Sequence, residues 1–249
     1  MPMVASDALV LRSYKLGESS KVVVLLTRER GKVRAVAKGA RSGRSRYQSA
    51  LEPLSEVRVS LYGRQGAELL RLGGCELLRS AFPAGGRGLE CALALSYFVE
   101  LIDAFAQEGE AEDAVYRLAT AVVRAAEEGK DVVALTRYLE AWLLRLHGIY
   151  PPLDRCAGCG RALPKGTLLY HEAAHGFVCG DCGPATGPIL GREARAFLER
   201  TFATPPAGVE APSPECLALE GFHQDLIRRH LERDLRSVRV LQDVRRTAS

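Results

Sequence analysis

The sequence is short of aromatic side chains and methionine: one Trp, seven Phe, eight Tyr and two Met among 249 residues. Long hydrophobic runs are missing as well. The longest aliphatic stretch, residues 22–26, spans five positions, where about 20 are needed to cross a membrane. The N-terminus has no basic stretch leading into an apolar one, so no secretory signal is expected. A cytoplasmic protein follows, with thiols that are reduced or metal-bound. No phosphate-cradling G-x-x-x-x-G-K-[ST] loop, nucleophile elbow or dinucleotide fingerprint occurs. No catalytic arrangement of carboxylates is legible, so the chain reads as a binding protein and not an enzyme. The seven cysteines are an odd number, which argues against a simple disulfide framework. A chain of this length buries roughly 70–75% of its unfolded surface and needs no cross-links to hold a core.

What is present is a globular composition, 47% hydrophobic and 26% charged, with charge unevenly spread. Residues 1–80 hold 15 Lys/Arg against 7 Asp/Glu, a net +8. Residues 81–150 hold 6 against 11, a net −5, and residues 151–249 hold 13 against 12, a net +1. The formal charge of +4 therefore conceals a basic first third, for which a polyanion is the leading partner.

Short β-branched and aliphatic segments at 8–14, 21–27, 32–38, 54–62 and 67–78, separated by glycine-bearing turns, predict five strands. In the fourth, Val57, Val59 and Leu61 alternate with Arg58, Ser60 and Tyr62, the period of a half-buried strand. Gly73-Gly74 predicts a bulge or sharp bend in the fifth. Five short strands suit a small closed barrel, because closure removes exposed edges. After a proline- and glycine-rich break at 83–88, helical periodicity predicts helices over 90–106, 112–127 and 133–147, and again over 192–202 and 214–235. The expected organisation is α+β and multidomain: a barrel at 1–82, a helical domain at 83–148 and 189–249, and an inserted cysteine module at 149–188.

That module carries the most specific signal. Cys156 and Cys159 form one C-x2-C pair, Cys179 and Cys182 a second, with nineteen residues between them. Two-residue spacing aims both thiolates of a pair at one centre, and two such knuckles complete a tetrahedral site suited to one structural zinc ion. Cys75, Cys91 and Cys216 sit in apolar patterns and read as buried free thiols. A competing motif lies between the knuckles: His171, Glu172 and His175 spell H-E-x-x-H, the zinc hydrolase pattern. That chemistry needs both histidines on one helix face and an open metal position. Here the surroundings predict strand, turn and strand, and four cysteines already fill a coordination shell.

From Arg28 to Arg46 there are eight cations and one acid, Glu29. Lys32, Arg34 and Lys38 alternate along one strand face, and Arg41, Arg44 and Arg46 follow in a glycine- and serine-rich loop. Spaced cations on such a loop can follow a phosphate backbone, with strong salt dependence and little sequence preference. Tyr14, Tyr47 and Tyr62 are candidate stacking faces. A second group, Arg228, Arg229, Arg233, Arg236, Arg239, Arg245 and Arg246, reads as a solvated face, with an extension of the polyanion surface or a grip on a partner's acidic tail as the alternative. Charge alone leaves DNA and RNA both open, so an RNA-binding zinc-ribbon factor is the alternative.

Residues 10–54 resemble the N-terminal region of the RecO family of bacterial DNA repair and recombination proteins. The resemblance is carried by Gly17-Glu18-Ser19, Leu26-Thr27-Arg28-Glu29, Gly31-Lys32, Lys38-Gly39-Ala40-Arg41 and Leu51-Glu52-Pro53, and by the paired C-x2-C module between helical segments. It implies an OB-fold N-terminal domain, a helical domain and a zinc-finger module. It further implies mediation of recombination without nucleotide hydrolysis. Such proteins bind single- and double-stranded DNA and anneal complementary strands. With RecR they help load RecA onto strands coated by single-stranded DNA-binding protein, whose acidic tail some members bind. On this resemblance DNA lies against Lys32, Arg34, Lys38, Arg41, Arg44 and Arg46, and the protein is cytoplasmic and nucleoid-associated.

Overall fold

The computed structural model describes residues 3–42, 45, 47–64, 66–81, 84, 86–183, 187–210 and 218–240. Arg44, Arg46, Cys216, Arg245 and Arg246, and the start of the helix expected at 214, lie outside those residues. Five strands, β1 (Met3–Leu16), β2 (Ser20–Thr27), β3 (Gly31–Ala37), β4 (Glu56–Tyr62) and β5 (Leu70–Arg79), close a barrel in the order β1-β2-β3-β5-β4. All neighbours are antiparallel except β3 and β5, which pair in parallel through Ala35–Leu70 and Val36–Arg71. This is the strand order of an OB-like barrel.

β1 begins earlier and runs longer than its apolar pattern suggests, because it serves two partners. Its first half pairs with β4 and its second with β2, and the register shifts between Val10 and Arg12. The resulting bend wraps the strand around the barrel. Ala8, Val10, Val23, Leu25, Ala35, Val57, Val59, Leu61 and Leu72 fill the interior. Leu9, Leu11, Val24 and Leu26 are buried on the opposite parity, since helices cover that side. The bulge expected at the glycine pair is present: Ser60 pairs with Gly74 and Leu61 with Leu72, skipping Gly73. A Cβ on Gly73 would lie 2.1 Å from the Tyr62 ring, so the ring packs on bare backbone.

Among the described residues the helices include α1 (Leu89–Phe105), α2 (Asp113–Glu127), α3 (Val132–Leu146), α4 (Arg192–Ala203) and α5 (Ala218–Leu231). In α1, Cys91, Ala94, Leu95, Phe98, Leu101, Ile102 and Phe105 are buried at helical spacing. Asp131 starts α3 by accepting the Ala134 N–H at 2.7 Å, the usual N-cap geometry. α5 stops short of the expected 235 because Glu232 adopts a left-handed conformation, φ 54°. The chain forms two compact units, one running to Gly129 and including the segment from Leu235, the other Lys130–Asp234. Composition grouped all the helices together, whereas the contacts divide them: α1 and α2 go with the barrel, α3–α5 with the cysteine module. Among the described residues no helix is long and apolar enough to cross a membrane.

Candidate metal centre and nucleic-acid interface

The module is a hairpin, β6 (Leu168–His171) and β7 (Gly176–Val178), with β8 (Ile189–Leu190) on the far side of β6. One knuckle precedes the hairpin and the other follows it. Ala157 N–H donates to Phe177 O at 2.8 Å, tying the first knuckle to β7. Gly158 is needed for close approach, as a Cβ there would lie 3.2 Å from Cys182 Sγ. Tyr170 and Phe177 pack on Phe222 of α5, with ring centroids 5.1 and 5.8 Å away.

The Sγ atoms of Cys156, Cys159, Cys179 and Cys182 lie within 4.8 Å of one another. Cys159 and Cys179 are 3.8 Å apart, and zinc–sulfur bonds of about 2.3 Å in a tetrahedron require an edge of about 3.8 Å. The donor set therefore fits zinc. Its electrostatics are compatible with a cation. Backbone N–H groups of Cys179 and Cys159 pull the Cys156 thiol down to about 6, and Arg161 lowers Cys159. Cys182, crowded by Cys159 and Cys179, is pushed up to about 12. Without a metal some thiolates form easily and the last does not; a divalent ion removes that conflict. Arg161 bridges the two knuckles on the exposed side. Its Nε is 3.3 Å from Cys159 Sγ, and its Nη2 is 3.9 Å from Cys179 Sγ and 2.7 Å from Asp181 Oδ2. Sequence reasoning missed this guanidinium, although its place two residues after a ligand was visible.

The H-E-x-x-H letters do not form a hydrolase site. His171 ends β6, Glu172 opens a 3-10 turn, and His175 is left-handed at φ 48°, so no helix aligns the two histidines. Glu172 pairs with Arg229 at 3.0 Å. Among the described residues the metal-type cluster consists of cysteines alone.

The basic segment is divided by its partners. Lys32 and Arg34 point outward from β3. Lys32 is 13% exposed, its Nζ 2.6 Å from Asp103 O and 3.6 Å from Asp103 Oδ1 on α1. Arg34 is exposed and pairs with Glu108 at 2.8 Å. Asp103 also holds Arg12 at 2.9 Å, and Asp113 holds Arg28 at 2.7 Å. Lys38 is exposed and has no ion-pair partner among the described residues. Arg41 is exposed and donates to Gly17 O at 2.8 Å, and its N–H reaches Ser19 O at 3.0 Å. The loop after β3 thus lies on the β1–β2 turn.

Lys15 and Lys21, which the sequence reading did not single out, face each other across that turn. Like charges opposite one another are unfavourable without a nearby anion. On the outer face Tyr14, Val22 and Val36 stand in one row, with Tyr14 49% exposed. Tyr47 is 1% exposed and donates to Leu72 O at 3.2 Å, so it is a core side chain, and Tyr62 packs on Gly73. Of the three tyrosines, Tyr14 alone is placed to stack.

A closed barrel of OB-like order, helices carrying its counter-charges and a four-thiolate module define an OB-fold protein with a metal-type knuckle pair. The chain belongs to the RecO family: the model for "Recombination protein O N terminal" matches residues 1–81, and that for "Recombination protein O C terminal" matches residues 88–239. It is 37% identical over 239 residues to the DNA repair protein RecO of Koribacter versatilis, covering 95% of this chain and 97% of that one. The DNA repair protein RecO of Geobacter metallireducens is 33% identical over 245 residues, covering 98% and 99%. That of Streptomyces griseus is 32% identical over 257 residues, covering 97% and 100%.

Proposed function

We propose that the chain is a non-enzymatic mediator of DNA repair and homologous recombination. It binds single- and double-stranded DNA on the barrel, anneals complementary strands and, with RecR, helps load RecA onto DNA coated by single-stranded DNA-binding protein. The observation that carries this reading is the cationic end of the barrel. Lys38 and Arg41 lie on the loop that covers the β1–β2 turn, Lys15 and Lys21 flank the turn, and Arg44 and Arg46 continue the same loop in sequence. Tyr14, Val22 and Val36 offer an adjoining face for bases. Cations here screen the repulsion between two phosphate backbones, while contacts that ignore sequence leave base edges free to pair. Lys32 anchors β3 to α1 and contributes charge indirectly. Arg34 joins the surface when its carboxylate partner yields.

Cys156, Cys159, Cys179 and Cys182 hold zinc in this reading. The ion supplies cross-linking of the two knuckles and no chemistry on DNA. Arg161 screens its excess negative charge.

The test is annealing of complementary strands precoated with single-stranded DNA-binding protein, comparing wild type with K38E/R41E. Loss of annealing is expected; the wild-type rate in the variant overturns the assignment. Competition between single-stranded DNA and RNA at equal ionic strength separates this reading from an RNA-binding one.

A further inference from the structure

The segment joining α1 to α2 is an acidic strap, with Glu108, Glu110 and Glu112 among residues 107–112 and Asp113 opening α2 directly after it. It runs along β3: Lys32 N–H donates to Gln107 O and Gly109 N–H donates to Lys32 O, both at 3.0 Å. At Gly31 (φ 60°) the fit is closer still, since a Cβ there would fall 1.8 Å from Glu110 O. The backbone of the strap is therefore fixed against the barrel. Glu112 turns back to accept the Gln107 N–H at 2.8 Å.

Glu108 on the strap and Asp113 at its end behave differently. Glu108 reaches Arg34, and the pair is 58% and 56% exposed. Asp113 reaches Arg28, that pair being 46% and 50% exposed, and its other oxygen pairs with Arg117 at 2.8 Å one turn further along α2. Hydrogen bonding from Arg28 holds the Asp113 carboxyl below its usual range, so it stays charged. Exposed ion pairs are weak, are screened by salt and exchange readily for another anion.

We propose that the strap is an intramolecular stand-in for a nucleic-acid backbone, with Glu108 and Asp113 occupying Arg34 and Arg28 until phosphates displace them. This rests on the reading of the barrel as the DNA-binding element. Lys38 meets a phosphate with only its counterions to shed. Arg34 and Arg28 must first leave a carboxylate; Glu108 then gathers a cation from solution, while Asp113 keeps Arg117. Each such exchange weakens binding and flattens its salt dependence relative to a free cation. A strand held this way is also more easily let go.

The experiment is single-stranded oligonucleotide binding by fluorescence anisotropy across a salt series. It compares wild type, E108Q/D113N, the same pair in an R28Q/R34Q background, and K38E/R41E. E108Q/D113N is expected to bind roughly fivefold more tightly at low salt, two exposed pairs each being worth a factor of a few. Its plot of log K against log salt should steepen by about 1, and R28Q/R34Q should abolish the gain. Unchanged or weaker binding overturns the proposal, as does a gain that survives in the R28Q/R34Q background, which would be bulk charge alone. E108Q by itself, with a smaller gain, replaces the pair if Asp113 proves necessary for α2 to form. If K38E/R41E loses binding while the strap variants behave as wild type, the strap proposal falls and the barrel reading stands. If K38E/R41E binds as wild type, the barrel reading falls and the strap proposal with it.

Discussion

In the barrel, residues from five strands and the loop after β3 close one continuous apolar interior, while in the cysteine module four sulfur atoms within 4.8 Å stand where a core would be. The barrel strands are long enough to bury alternate residues against one another. The module's strands are two to four residues long, and its buried aromatics face outward onto α5. The lesson is about what fixes each shape. One is held by area removed from water; the other has almost no core of its own, and in the proposed reading a small number of strong, pH-sensitive bonds to a cation would hold it. The same contrast decides how each tolerates change.

Removing the metal is the harshest test of that contrast. Replacing Cys156 and Cys159 by serine, or chelating the protein, removes on the order of 10 kcal/mol of binding energy from the module. Limited proteolysis should then cut between residues 154 and 190 and spare the barrel; a purified, unchelated protein without zinc breaks the comparison outright. Next in size, L25A hollows the barrel interior and should destabilise it by about 3 kcal/mol, read by denaturant unfolding, with metal content unchanged. R161A should weaken zinc binding by roughly tenfold to a hundredfold in competition with a chromophoric chelator; an unaltered affinity means the guanidinium is a bystander.

The smallest expected effect is on pH dependence. His223 is fully buried, its Nδ1 2.9 Å from Glu140 and its Nε2 3.0 Å from the Tyr150 hydroxyl. Burial lowers its pKa despite Glu140. The unfolded chain therefore takes up the proton first. Stability from this group is complete above the unfolded value of about 6.5 and falls as pH drops below it. The Tm should decline between pH 7 and pH 5, and H223Q should flatten that decline. An equal slope in the variant assigns the effect elsewhere.

Much of this was legible in the chain. The C-x2-C pairs specify a tetrahedral donor set by spacing alone, and the alternation of Val57, Val59 and Leu61 specifies which side of β4 is buried. The H-E-x-x-H letters were correctly outweighed by their neighbours, because Gly176 and the flanking strand patterns leave no room for a helix. Other features were invisible for a physical reason. That Tyr47 is core and Tyr14 surface depends on which way the loop after β3 folds back. That Arg161 spans two knuckles depends on a hairpin bringing together residues twenty positions apart.

Sequence by itself determined most of the elements, the paired cysteines and the uneven charge, because periodicity, spacing and composition are local properties. It placed a net +8 in residues 1–80 and a net −5 in residues 81–150 but could not say that these charges meet. Only the tertiary structure decided that, by laying α1, the strap and the start of α2 against β1 and β3. Asp103, Glu108 and Asp113 pair with Arg12, Lys32, Arg34 and Arg28, which offsets part of that charge, and leave Lys38 and Arg41 at the barrel's end. Coulomb pairing acts over a few ångströms between residues as far apart in the chain as Arg12 and Asp103, and distance in space is what a linear chain does not record.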